Sequence, residues 1–132
     1  MKVTRVSEHV WSVYTWLVFP ITVWLVKEED GVTLVDAGMP VMAKGISGAI
    51  RSLGIGPLKR IVLTHGHSDH VGAVRRLLQE WPDAPVCAHR LEIPHMTGEA
   101  PYPGRRKAAR YLPGGLARPL PENPDGSLKP IG

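Results

Sequence analysis

Between Val3 and Val35, short runs rich in Val, Ile, Thr, Trp and Tyr are separated by turn-like clusters. This is the pattern of successive strands in an antiparallel sheet. Along residues 21–26, Ile21, Val23 and Leu25 face one side and Thr22, Trp24 and Val26 the other, so apolar groups lie on both faces and the strand belongs inside its sheet. The charged run Lys27–Asp30 followed by Gly31 predicts a hairpin turn into a strand over Val32–Val35. The period then changes. Met42, Ile46, Ala49, Ile50 and Leu53 recur at helical spacing after Pro40, predicting a helix that ends near Gly54 and lies on the sheet. Arg60–Thr64 (RIVLT) reads as a short buried strand. Val71, Val74, Leu77, Leu78 and Trp81 define a second amphipathic helix, and Ala84–Ala88 a further strand, giving the order β, α, β, α, β.

At 132 residues the chain has room for one domain with a core. Seven of the 13 prolines and six of the 14 glycines fall in the last 35 residues, so the expected division is a core domain over 1–97 and a Pro/Gly-rich basic tail or loop over 98–132. A packed element is not expected in that tail, apart from a helical turn over Lys107–Leu112.

A net charge of +4 gives a mildly basic surface and no nucleic-acid signature. Arg105, Arg106, Lys107 and Arg110, near Tyr102 and Tyr111, read as a solvated loop, so nucleic acid is not expected as a partner. Cys87 is the single cysteine, which excludes an intrachain disulfide and suits a reducing compartment. The N-terminal MKVTRVSEHV lacks the apolar run of a secretion signal, and Trp16–Val26 is too short to span a bilayer and is broken by Pro20. A cytoplasmic protein without membrane attachment is expected.

The chemistry concentrates in THGHSDH, Thr64–His70, where the buried strand ends and the second helix is due. Three imidazoles and one carboxylate within six residues suit a divalent metal, since zinc prefers imidazole nitrogen and carboxylate oxygen. His65 and His67, two apart at a strand exit, are expected to share one ion, and Asp69 and His70 to serve a second. Zinc is expected, up to two ions, with iron or manganese as alternatives. Metal charge makes a bound water acidic near neutral pH and polarises a substrate oxygen. Asp69 is the candidate catalytic residue, placed to orient that water. Gly66 and Gly72 permit a tight backbone path.

The motif resembles the signature of the metallo-β-lactamase superfamily. VTLVDAG, Val32–Gly38, resembles that family's strand ending in an Asp before its first helix, which implies a role for Asp36 beside the metals rather than on them. APVCAH, Ala84–His89, resembles the strand after the motif helix. The resemblance implies an α+β fold, the N-terminal half of an αββα sandwich: a mixed sheet with helices on one face, here truncated. In the family the second half supplies a further His, a bridging Asp and a final His, which have no counterparts here. His89, His95 and Cys87 lie nearby but nothing specifies their geometry, and they read as surface or packing residues, as does His9.

The implied function is a metal-dependent hydrolase domain acting on an ester, amide, thioester or phosphoester; an isolated chain without the second half's ligands can be inactive. The alternative is a non-catalytic metal-binding or dimerisation module. Because the second sheet is missing, the face opposite the helices should be exposed, and a homodimer packed sheet to sheet is expected. A truncated product or fragment is the competing explanation.

Overall fold

The computed structural model describes residues 1–16, 20–64, 72–97, 99, 112, 115–125 and 127. Among them the strands are β1 (Lys2–Ser7), β2 (Val10–Trp16), β3 (Pro20–Glu28), β4 (Gly31–Val35), β5 (Leu58–Leu63), β6 (Val86–Ala88) and β7 (Ala117–Pro119). A 3-10 turn at Pro40–Met42 leads into helix α1 (Ala43–Leu53), and α2 (Val74–Glu80) and a short α3 (Ile93–Met96) follow. The seven strands form one sheet in sequence order. Hairpins pair β1 to β4 antiparallel, whereas β4, β5, β6 and β7 run parallel. Parallel neighbours need a crossover, and α1 and α2 supply the first two.

The register sorts side chains into two faces. One row across the sheet is Trp11, Leu25, Leu34, Ile61, Val86 and Ala117. It joins Ile46, Ile50, Val74 and Leu77 of the helices in a single core. The opposite row is Ser12, Trp24, Val35, Val62, Cys87 and Arg118, with Trp24 39% exposed and Val35, Val62 and Cys87 half-buried. Helices therefore cover one face and leave the other open, as expected where a second sheet is absent. Low on that open face, Thr33 Oγ1 donates to Glu28 Oε1 at 2.6 Å. Glu28 Oε2 lies 3.2 Å from both Lys59 Nζ and Arg60 Nη2.

Helix α1 ends where the sequence indicates, with Gly54 as a left-handed cap at φ 65°. A polar cluster ties α1 to α2: Ser47 Oγ donates to Glu80, Trp81 Nε1 donates to Ser47 Oγ at 3.2 Å, and Arg51 pairs with Glu80 while lying 5.2 Å over the Trp81 ring. Helix α2 follows a turn at Gly72–Ala73 and starts at Val74; Val71, the first position of the predicted apolar spacing, lies outside the described residues.

The expectation of loop beyond residue 98 requires a correction. β7 pairs with β6 through Val86–Ala117, Cys87–Arg118 and Ala88–Pro119, and Leu112 and Ala117 are buried. Pro119 is tolerated because β7 is the edge strand, where one side of the backbone has no ladder to complete. Lys107–Tyr111, Tyr102, Arg105 and Arg106 lie outside the described residues. Among the described residues, no helix is long and apolar enough to cross a membrane.

Candidate metal centre

Parallel strands β4, β5 and β6 end side by side, so the residues just beyond them, Asp36, Thr64 and His89, share one edge of the sheet. Ligands of open α/β sheets gather at this carboxyl edge, because there the chain leaves the sheet in loops that place side chains freely.

Asp36 occupies the first position after β4 in the left-handed region, φ 63°, and is 7% exposed. Such a φ is uncommon away from glycine; Asp is among the residues that adopt it most readily. The backbone N–H of Asp36 donates to Val62 O at 2.8 Å, which fixes it to β5. Its carboxylate then reaches the end of that strand: Thr64 N donates to Oδ1 at 2.9 Å, and Thr64 Oγ1 lies 2.8 Å from Oδ1 and 2.7 Å from Oδ2. The strained turn thus holds the residue immediately before His65. Sequence reading found Asp36 but missed Thr64, whose only cue is its place at the strand end.

The expected ligands His65, His67, Asp69 and His70 lie outside the described residues. On either side of them, β5 ends at Leu63 and, past a turn at Gly72–Ala73, the next described helix begins at Val74. Among the described residues, no group of three or more His, Cys, Asp or Glu side chains gathers closely enough to hold an ion. Three imidazoles and a carboxylate following a strand whose end is hydrogen-bonded to a buried Asp fit a divalent cation with a supporting outer carboxylate.

The neighbouring candidates are otherwise engaged. His89 Nδ1 accepts from Leu91 N at 3.2 Å, and Nε2 lies 3.5 Å from Glu122 Oε1. Cys87 sits on the open face rather than at the strand ends, and burial pushes its thiol pKa up against the smaller opposing pull of Arg60 and Arg118. His95 belongs to α3. His9 lies in the turn before β2, whose carbonyl accepts from Lys27 N at 2.7 Å, at the end of the sheet opposite Asp36.

The fold is a mixed sheet covered by helices on one face, with the motif following the carboxyl end of β5. A model of the metallo-beta-lactamase superfamily matches residues 16–130. The chain is 35% identical over 126 residues to a protein described as probable metallo-hydrolase YybB of Bacillus subtilis (strain 168), covering 92% of this chain and 56% of that one. It is 35% identical over 78 residues to a hydroxyacylglutathione hydrolase of Synechococcus sp. (strain CC9902), covering 57% of this chain and 30% of that one. In fold it is similar to MEM-A1, a subclass B3 metallo-beta-lactamase from a soil metagenome library, with TM-score 0.74, 23% identity, and 92% of this chain matched to 47% of that one. The chain belongs to the metallo-beta-lactamase superfamily. It spans about half the length of YybB and less of the other curated relatives.

Proposed function

We propose that the chain is a metal-dependent hydrolase domain that cleaves an ester, amide, thioester or phosphoester, with His65, His67, Asp69 and His70 as ligands to up to two zinc ions. The observation that carries this reading is the Asp36 carboxylate locked onto Thr64 at the residue before the motif. When bound, such ions supply an acidified water and polarise the bond to be cut. The chain's own contribution at this edge is positional. Asp36 fixes the end of β5, β5 is fixed by β4 and β6, and the motif leaves from that fixed point. Asp69, the one carboxylate in the motif, orients the attacking water.

The test is turnover of 4-nitrophenyl acetate, an acyl thioester and bis-4-nitrophenyl phosphate by zinc-supplemented protein. At least one substrate should turn over, turnover should stop with chelator, and His67→Ala or Asp69→Ala should lower it on the order of a hundredfold. Activity indifferent to chelator and to both substitutions contradicts the reading. Bound zinc without turnover of any of the three favours a metal-binding module instead.

The open sheet face supports a homodimer as the assembly, since Trp24, Val35 and Val62 leave apolar surface uncovered. Light scattering behind size exclusion should give a dimer mass. A monomer mass at tens of micromolar removes this part of the proposal.

A further inference from the structure

The open face of the sheet differs from one side to the other. On β2 and β3 it carries Tyr14 and Trp16, two and four residues on from Ser12, and Trp24, which pairs with Ser12. Tyr14 stands diagonally across from Trp24, and its Cα is about 7 Å from that of Trp16 on the same strand, so the three rings form one stripe. Trp16 is 64% exposed, Trp24 39%, and Tyr14 is half-buried. Between Val10 and Trp16, and between Pro20 and Val26, no charged residue stands on this face. Lys2, beside Tyr14 on β1, is exposed at the strand end, where its ammonium stays in water.

The other side of the same face is charged. Arg60 stands on it from β5, opposite Thr33, and Arg118 from β7, opposite Cys87. Glu28 Oε2 lies 3.2 Å from Arg60 Nη2 and from Lys59 Nζ. A second sheet laid over this side has to take those groups out of water, at a cost that their pairing does not repay. Over the aromatic side no charge is desolvated, and the rings supply the apolar area. A surface that is apolar and uncharged has no pattern to select a different partner; it complements itself, and a two-fold axis closes the contact at two copies. The seven residues of β2 and three strand widths give a face of about 24 by 14 Å, on the order of 350 Å² in projection. That lies at the small end of specific interfaces and corresponds to a micromolar dimer rather than a nanomolar one.

We propose that two copies of the chain meet through the stripe of Tyr14, Trp16 and Trp24, sheet against sheet over β2 and β3, and leave Arg60, Cys87 and Arg118 on the same face in water. This rests on the homodimer reading above and adds where on the face the copies meet. Val35, beside Trp24, lies at the margin of the contact, and the aromatic rings at its centre carry most of the affinity.

The test is sedimentation velocity on the full chain over about 1 to 200 μM, which brackets a dissociation constant in the low micromolar range. Trp16→Ser and Trp24→Ser should each raise that constant at least about tenfold, whereas Arg118→Glu should leave it within about threefold. Trp16 is mostly exposed, so its variant should keep the wild-type thermal midpoint at concentrations where both are monomeric, and it decides the matter even if Trp24→Ser fails to fold. Cys87, the single cysteine, should react with a maleimide at the same rate in monomer and dimer. A wild-type dimer indifferent to both tryptophan substitutions, or one whose formation shields Cys87, overturns this surface and leaves the homodimer reading standing. A monomer throughout the range overturns both and leaves the stripe to another occupant.

Discussion

Replacing Asp36 separates two costs that the structure combines at one position. The carboxylate accepts the N–H and the hydroxyl of Thr64, and the backbone sits at φ 63°. Hydrogen bonds to a charged acceptor are worth about 1.5–3 kcal/mol. Holding alanine in the left-handed region adds about 1 kcal/mol that glycine avoids. Asp36→Asn keeps an oxygen for Thr64 N–H and tolerates the conformation, so it should cost about 1 kcal/mol. Asp36→Gly should cost about 1.5–3 kcal/mol and Asp36→Ala about 2.5–4 kcal/mol. With a urea slope of about 2 kcal/mol per molar for a domain of this size, Ala should lower the midpoint by about 1–2 M. Urea unfolding followed by tryptophan fluorescence gives the order directly. Thr64→Val, combined with each variant in a double-mutant cycle, should show a coupling of about 1 kcal/mol for the hydroxyl bond. If Ala and Gly unfold together, the backbone strain is not there; if Asn is as damaging as Ala, the hydrogen bonds do not hold the turn.

Neighbouring residues on β4 should respond according to face: Leu34→Ala, fully buried, should cost about 2–5 kcal/mol, and Val35→Ala on the open face about 1 kcal/mol, measured by urea unfolding at low micromolar protein, with the reverse order refuting the face assignment. Glu28 has its pKa lowered from 4.5: burial pushes it up, but hydrogen bonds from Thr33 and Lys59 and the charges of Arg60 and Lys59 together outweigh that. A lowered folded pKa gives stability that is present above 4.5 and lost as pH falls through the folded value, so the stability gap between wild type and Glu28→Gln should narrow as pH drops below 4.5; a gap that stays constant there contradicts the ion-pair network. At Gly31 a Cβ would stand 2.6 Å from the Pro57 carbonyl oxygen, so Gly31→Ala should cost about 1–3 kcal/mol in the same unfolding assay, and a neutral result would mean the hairpin shifts freely.

Much of the central fold can be read in the pattern because each element has a strong period and a clear stop. β3 is apolar on both faces, as a strand inside its sheet should be, Glu29–Asp30 turns its hairpin into β4, and α1, entered through the 3-10 turn at Pro40–Met42, ends at the left-handed cap Gly54. The site was legible where chemistry is dense, in the motif and at Asp36, whose place after an apolar strand is distinctive. β7 was not legible, because three residues ending in proline carry no period of their own and become a strand only by lying against β6. The contacts of Glu122 with His89 and Arg90 were hidden for a related reason: 32 residues separate Arg90 from Glu122, and only the folding of the proline-rich segment back over the end of β6 brings them together. Tertiary pairing, rather than local propensity, decides both.

The proposal that the motif after β5 grips a divalent cation is tested most directly by metal content. Protein supplemented with zinc, dialysed, and analysed by mass spectrometry of the elements should retain one to two zinc ions per chain, and the double substitution His65→Ala/His67→Ala should remove at least one of them. Wild-type protein that emerges free of zinc, or zinc retained unchanged by the double substitution, would contradict it.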